Sequence, residues 1–157
     1  MAVKTQKLVV PYLTVSGGVA AIAFYKKGFG AKEITRMPAQ DKKRLIHAEL
    51  EINGHAIYLS DDFSEAAPEQ TGGGRTPEAL GGTPCSVFVQ LTVPKDVDKW
   101  MAKAAKAGAS IKMPAADQFW GDRFGQLVDP FGHSWMFGAP LPKPKAKSPA
   151  KKKPKSK

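Results

Sequence analysis

The apolar positions of the chain form two series of short segments that follow the same order. In the first series, the apolar and β-branched run from Leu8 to Val15 predicts a strand. Apolar residues then recur at every third or fourth position over residues 19–29, which predicts a helix. Ser16 is the predicted N-cap of this helix, and Gly28 and Gly30 are predicted to end it.

Three shorter strands complete the first series. Lys32 to Met37 predicts the first of them, and Arg44 to Ile52 predicts the second. His55 to Ser60 predicts the third, and Asn53-Gly54 joins it to the second. Because this dipeptide favours a two-residue turn, the last two strands are predicted to form a hairpin.

The register of this hairpin decides which side chains share a face. A two-residue turn sets Glu49 opposite Tyr58 and His47 opposite Ser60, whereas a three-residue loop would reverse those faces. Successive residues of a strand point to opposite faces, so the strand divides into a polar and an apolar set. The polar set is Leu45, His47, Glu49 and Glu51, and the apolar set, expected to face the helix, is Ile46, Ala48, Leu50 and Ile52.

The second series repeats this order. Ser86 to Val93 predicts a strand, and apolar residues at helical spacing over 97–108 predict a helix. A short strand is predicted near Ile111. A hairpin is predicted from Phe124 to Val128 and from Ser134 to Phe137.

The two series are related by an internal repeat with a constant offset of 78 residues, which indicates duplication of one βαβββ unit. The modules are residues 7–60 and 85–138, and pairing them predicts an α+β fold. In this fold a curved eight-stranded sheet surrounds a concave cavity, with the helices outside. The repeated blocks are Leu13-Thr14-Val15 with Leu91-Thr92-Val93, Gly30-Ala31 with Gly108-Ala109, and Gly54-His55 with Gly132-His133.

Composition and charge separate a folded body from a tail. The 157 residues suffice for one domain, predicted over residues 1–140, with a glycine- and proline-rich loop or lid over 61–84. Of the net charge of +10, eight lysines lie in residues 141–157, which contain no acid. We expect this tail to be disordered. It could contact nucleic acid weakly through phosphates, or serve only as a solubilising extension.

Several classes of protein are excluded by what the sequence contains. No apolar run approaches the length that spans a bilayer, and no signal-peptide core follows the N-terminus, so a cytoplasmic location is expected. Cys85 is the single cysteine, which excludes an internal disulfide and a cysteine cluster for zinc. We predict that Cys85 is a small buried hydrophobic residue, with a reactive thiol as the alternative.

Motifs in both modules resemble those of the vicinal oxygen chelate superfamily, the glyoxalase, bleomycin-resistance and dioxygenase fold, and within it the PhnB-like branch. The resemblance covers nearly all of residues 7–138 and implies a small-molecule cavity and a homodimer. The motifs are Pro11-Tyr12-Leu13-Thr14-Val15, Ala23-Phe24-Tyr25-Lys26-Lys27, Phe29-Gly30-Ala31, Ile46-His47-Ala48, Trp120-Gly121-Asp122-Arg123-Phe124-Gly125 and Asp129-Pro130-Phe131-Gly132-His133.

The resemblance also implies where a metal would be held. Glyoxalase-type members bind a divalent cation with four side chains, two from each module, and the matching positions here are Val10, Tyr58, Phe88 and Met136. None of these side chains is a usual ligand of such a cation. We therefore expect no divalent metal cofactor.

The predicted cavity is aromatic with a few polar groups, which favours a small, partly flat organic ligand. Asp122 and His47, which lies beside Glu49, are candidates for an acid or base. The alternatives are a hydrogen-bonded strand histidine and a surface ion pair of Asp122-Arg123. His55 and His133 are predicted to serve the turns. The predicted ligand-binding residues are Tyr12, Tyr58, Phe88, Gln90, Trp120, Phe124, Gln126 and Met136.

These features favour a protein that binds a small organic molecule without the usual divalent metal. One alternative is a lyase, isomerase or dioxygenase-type enzyme whose metal site is displaced or absent. Another is an antibiotic-sequestering resistance protein. That class would be expected to present an acidic groove to a cationic drug, whereas the body of this chain outside the tail is slightly basic.

Overall fold

The computed structural model describes residues 8–65 and 74–143, and the tail from residue 144 onward lies outside them. Within these ranges, strands and helices follow the order predicted for two βαβββ modules. The elements are β1 (Tyr12–Val15), α1 (Gly18–Phe29), β2 (Lys32–Pro38), β3 (Leu45–Ile52), β4 (His55–Asp61), α2 (Pro77–Leu80), β5 (Ser86–Gln90), α3 (Pro94–Ala107), β6 (Ser110–Asp117), β7 (Asp122–Val128) and β8 (Ser134–Pro140).

Each module forms one four-stranded mixed sheet. The strand orders are β1-β4-β3-β2 and β5-β8-β7-β6, so the duplication predicted from the sequence is also seen in the topology. The first strand of each module is parallel to the last, and the remaining pairs are antiparallel. The α+β class is confirmed, and the eight strands are hydrogen-bonded as two sheets of four.

The β3–β4 hairpin has the predicted two-residue turn. Asn53 and Gly54 both have positive φ angles, of 51° and 78°, as a type I′ turn requires. Ile52 therefore pairs with His55, and the same register sets Glu49 opposite Tyr58. In the second module, Gln126 lies opposite Met136.

An irregularity between β2 and β3 places two residues on the faces opposite to those predicted. Met37 pairs with His47, but Pro38 pairs with Leu45, so one residue of β3 is left without a partner. This residue, Ile46, is 48% exposed, while Leu45 is buried. A bulge reverses the alternation of side chains at that point. The remainder of β3 alternates as expected, with its apolar residues buried.

Some element boundaries differ from the predicted ones. β1 begins at Tyr12 rather than at Leu8, and β5 ends at Gln90 rather than at Val93. β6 is longer than predicted because it pairs with β7 over most of its length. The predicted loop 61–84 contains the short helix α2, which has the usual N-terminal signal of a capping threonine, Thr76, followed by a proline.

The core joins the two modules through the helices. α1 packs against β3 in its own module and against α3 in the other, and α3 packs on β6, β7 and β8. The rings of Tyr25 and Phe29 on α1 lie within 5.6 and 4.7 Å of the Trp135 ring on β8. The helix-covered faces of both sheets therefore belong to one hydrophobic core.

A buried carboxylate accepts hydrogen bonds from two aromatic residues of this core. Asp129, in the β7–β8 turn, is 4% exposed. Its Oδ2 accepts hydrogen bonds from the Tyr25 hydroxyl at 2.6 Å and from Trp135 Nε1 at 2.9 Å. Burial, followed by the negative charge of Asp129, raises the pKa of Tyr25 well above its usual value of 10.0. The folded state therefore favours the neutral phenol.

The hydroxyl of Tyr25 should make the stability of the fold decrease as the pH rises through the alkaline range. A raised phenol pKa contributes stability that is complete below the unfolded pKa of about 10 and is lost as the pH rises through the folded pKa. We expect Tyr25→Phe to lower the free energy of unfolding by about 1.5–3 kcal/mol at neutral pH. Urea denaturation should show this difference shrinking as the pH rises from about 9 to about 11. A constant difference across that range would contradict the assignment.

Candidate functional site

The face of the first sheet that points away from α1 carries an aromatic cluster. This first open face bears Tyr12 on β1, Tyr58 on β4, and His47 and Glu49 on β3. The Tyr58 ring meets the Tyr12 ring edge-on at 6.1 Å and the His47 ring edge-on at 5.1 Å. Strand pairing aligns Tyr12 and Glu49 on either side of Tyr58. Three of the predicted site residues and Glu49 are thereby brought together.

Hydrogen bonds connect the polar atoms of this cluster. The Tyr12 hydroxyl lies 2.8 Å from Nδ1 of His47. Nε2 of His47 lies 3.3 Å from Oε1 of Glu49. Tyr12 is 53% exposed. His47 is therefore a hydrogen-bonded strand histidine, and it also connects a phenol to a carboxylate.

The corresponding face of the second sheet is more apolar. On this second open face, the rings of Phe88 and Phe124 stack at 6.3 Å. Trp120 meets Phe124 edge-on at 5.8 Å, and Phe88 pairs with Met136 across β5 and β8. A Cβ on Gly138 would lie 2.7 Å from the Phe88 ring, so the absence of a side chain there lets the ring rest on the strand. These contacts unite four of the predicted residues.

The amides predicted for the second open face have partners within the protein. Gln126 Nε2 donates to the Ser134 hydroxyl at 2.9 Å. The Ser86 hydroxyl is also bonded to that of Ser134, at 2.8 Å. Gln90 Nε2 donates to the carbonyl oxygen of Gly138 at 3.2 Å. The side chain of Gln90 is therefore directed to the backbone, whereas Gln126 belongs to a short hydroxyl–amide network.

The two open faces form separate clusters within one chain. Within residues 8–65 and 74–143, the aromatic contacts between predicted site residues join residues of the same sheet. Where the modules meet, a cleft of about 290 Å³ brings Val10 together with Phe88 and Gln90, but the residues described as lining it do not include Tyr58. The predicted residues thus form two separate groups, one on the first open face and one on the second.

Other predicted residues have different roles. The His133 ring, at Nε2, lies 2.8 Å from the carbonyl oxygen of Thr14, so it links the two modules as well as following a turn. Arg123 pairs with Asp98 and Asp117 at 2.6 and 2.7 Å, rather than with Asp122. The Arg123 guanidinium holds the pKa of Asp98 below its usual value. Arg123 is therefore engaged on the surface and is not free to clamp a ligand.

The prediction for the single cysteine is wrong. Cys85 is exposed rather than buried. It lies in the turn before β5, where its backbone N–H and carbonyl both bond to the Thr83 hydroxyl at 3.2 Å. The apolar strand that follows misled the prediction, because burial begins only within that strand.

Comparison with known proteins decides the family. The profile of the glyoxalase/bleomycin resistance protein/dioxygenase superfamily matches residues 8–137, which cover nearly all of both modules. The chain belongs to this superfamily. The resemblance drawn from the sequence motifs is thereby confirmed.

The chain is similar to several relatives of known sequence or structure over most of its length. Rv0887c of Mycobacterium tuberculosis is 43% identical over 142 residues, which span 90% of this chain and 79% of that protein. The crystal structure of PA1353 from Pseudomonas aeruginosa superposes with a TM-score of 0.66 at 24% identity, covering 87% of this chain and 100% of that one. A PhnB protein of Bacillus cereus has a TM-score of 0.63 at 21% identity, with the same coverages. Both structures share the fold of this superfamily member.

The four positions at which glyoxalase-type members of the superfamily would hold a cation do not suit one. They carry an isopropyl group, a phenol, a phenyl ring and a thioether, at Val10, Tyr58, Phe88 and Met136. Divalent cations prefer imidazole, carboxylate or thiolate ligands. Over residues 8–65 and 74–143, no three His, Cys, Asp or Glu side chains are grouped so that they could hold a metal ion.

The described part of this superfamily member contains no helix that is both long and apolar enough to cross a membrane. The predicted lysine-rich tail, residues 141–157, lies almost wholly outside the described residues, and so does the predicted contact with nucleic acid.

Proposed function

We propose that this protein binds a small, partly flat organic molecule between aromatic walls, without the divalent metal of glyoxalase-type relatives. The observation that carries the proposal is the pair of aromatic open faces, with Tyr12 and Tyr58 on one and Phe88 and Trp120 on the other. Tyr12, Phe88 and Trp120 are 53%, 47% and 50% exposed. Aromatic rings that remain this accessible are available to stack on a planar ligand.

Polar groups within each open face would orient such a ligand. The first face supplies the hydroxyl of Tyr12 with the imidazole and carboxylate behind it. The second supplies the network of Gln126 with Ser134. Sites for small molecules commonly combine apolar walls with a few fixed polar groups of this kind.

The proposal includes a homodimer, because no aromatic contact among residues 8–65 and 74–143 joins one open face to the other. A second copy related by a two-fold axis would set the first open face of one protomer against the second open face of its partner. Such an arrangement is self-complementary and would create two equivalent cavities. The Phe88 and Tyr58 positions, equivalent to metal positions in glyoxalase-type members, would then line one cavity from different chains.

Native mass spectrometry of the full chain tests ligand, metal and oligomer together. We expect a dimer that retains an organic molecule and no stoichiometric metal. Titration with nickel, zinc, manganese and iron should give no uptake at one ion per site. Phe88→Ala should weaken retention of the organic molecule by about fivefold, since a stacked ring contributes on the order of 1 kcal/mol.

A matched control is Leu80→Ala, which removes an exposed apolar side chain from α2. It should leave retention of the organic molecule unchanged. Stoichiometric uptake of any of the four metals, abolished by substitutions at Tyr58 or Met136, would contradict metal independence. A strictly monomeric protein with full ligand retention would contradict the shared cavity.

A further inference from the structure

The polar atoms of the first open face form a chain across three strands. Tyr12 and His47 lie on β1 and β3, which do not pair with each other because β4 lies between them. Their side chains nevertheless meet above Tyr58, with 2.8 Å between the Tyr12 hydroxyl and Nδ1 of His47. On the far side of the imidazole, Nε2 faces Glu49 at 3.3 Å. The sequence of groups is phenol, imidazole, carboxylate.

The direction of these hydrogen bonds depends on the tautomer of His47, and the relay uses the neutral imidazole with its hydrogen on Nε2. An ionised carboxylate can only accept, so Nε2 of His47 carries the hydrogen that is donated to Glu49. In the neutral imidazole Nδ1 is then an acceptor, and the Tyr12 hydroxyl must donate to it. The lone pairs of the Tyr12 oxygen are then not used in this hydrogen bond, and Nδ1 of His47 is the acceptor for its hydrogen.

We infer that Tyr12, His47 and Glu49 form an acid–base relay that takes a proton from an acidic hydroxyl group on a planar ligand. The inference rests on the proposed small-molecule site and assigns its ligand class. The 2.8 Å separation is within the range for proton transfer between a positioned acid and base. Tyr12 is the group that touches the ligand, while His47 and Glu49 act through it.

The proton balance of the relay requires no cofactor. The ligand hydroxyl gives its proton to the Tyr12 oxygen as the original phenolic proton moves to Nδ1 of His47. The ligand becomes an anion, Tyr12 remains neutral, and His47 becomes an imidazolium beside the Glu49 carboxylate. The reverse transfer returns the proton, so the same groups act as an acid towards an enolate or phenolate.

The surroundings of the relay favour a planar aromatic or enolic ligand. The Tyr58 ring makes edge-on contacts with the rings of Tyr12 and His47. The angles between the Tyr58 plane and these two ring planes are 84° and 74°. A flat ligand can therefore stack beside the phenols while its hydroxyl reaches the Tyr12 oxygen. Glu49 offsets the positive charge that arises on His47.

4-Nitrophenol provides a direct test, because its ionised form is yellow and its neutral form is not. The full chain is titrated with the probe at a pH where free 4-nitrophenol is mostly neutral, while binding is measured in parallel by calorimetry. We expect the bound probe to be ionised by the wild-type protein. The ionised fraction should fall by about tenfold or more in Tyr12→Phe and His47→Gln, and by less in Glu49→Gln.

His55→Gln is the matched control, since His55 is an exposed histidine at the end of the same hairpin. It should ionise the probe as the wild-type protein does. Binding of neutral probe, or equal ionisation by Tyr12→Phe, would overturn the relay and leave the proposed binding site standing. No binding by the wild-type protein at millimolar probe would overturn the assignment of an acidic hydroxyl ligand. Retention of an organic molecule in native mass spectrometry tests the proposed function separately, so the two failures can be told apart.

Discussion

Replacing Asp129 with alanine is expected to lower the free energy of unfolding by about 3–5 kcal/mol. The Asp129 carboxylate accepts from the Tyr25 hydroxyl and the Trp135 indole through one oxygen. Its other oxygen accepts from the backbone N–H groups of Phe131 and His133 at 2.9 and 3.0 Å. Both Tyr25 and Trp135 are fully buried, so alanine would leave two donors without partners in the core.

Urea denaturation of Asp129→Ala measures this loss. Asp129→Asn keeps the shape and an acceptor oxygen, so it should fold and show a smaller loss even where the alanine variant does not fold. Asp122→Ala removes a half-buried carboxylate from the same strand pair and should change stability by much less. Equal losses for Asp129→Ala and Asp122→Ala would show that the four hydrogen bonds contribute little.

The local parts of the fold were predictable from the sequence. Asn53-Gly54 specifies its turn within two residues, and the turn then fixes the pairing of Glu49 with Tyr58. The exact repeat of sequence blocks identified two modules of the same topology, because duplicated units keep their strand order. At the Asn53-Gly54 turn the signal and its consequence lie a few residues apart, and the prediction and the structure agree.

Features that depend on distant residues were not predictable in the same way. Ser16 has the right residue type for an N-cap, but Gly17 occupies that position and makes no side-chain cap. The bulge at Ile46 arises from the pairing of β3 with β2, which the alternation of β3 alone does not reveal. The exposure of Cys85 similarly depends on where burial begins in β5.

In the candidate site too, some contacts were predictable from the sequence and others depend on distant residues. The family resemblance assigned Phe88 and Met136 to one site, and these residues pair across β5 and β8. The bond between Tyr12 and His47 crosses an intervening strand, and it follows only once β1 is known to be parallel to β4. No pattern along the chain showed that the two open faces form separate clusters, because that depends on how α1 and α3 pack together.

Asp61 explains how α1 begins without a capping side chain of its own. Oδ1 of Asp61, at the end of β4, accepts from the backbone N–H groups of Gly17 and Gly18 at 2.7 and 2.8 Å. Oδ2 accepts from the N–H of Leu45 at 2.7 Å. Asp61 is 4% exposed, and a Cβ on Gly18 would lie only 2.7 Å from its Oδ2. A carboxylate contributed by the sheet therefore replaces the local N-cap.

Asp61→Ala is expected to lower the free energy of unfolding by about 2–4 kcal/mol, through the lost cap and the unpaired N–H of Leu45. Hydrogen exchange should accelerate most at the first turn of α1 and at the start of β3, because those amides lose their acceptor. Asp96→Ala is the matched control, since Asp96 is a partly exposed acid in the first turn of α3 that pairs with Lys99. Asp96→Ala should lower the free energy of unfolding much less than Asp61→Ala does, because a surface ion pair is weak. If exchange in α1 and β3 is unchanged in Asp61→Ala, the helix must begin through its packing on the core rather than through this carboxylate.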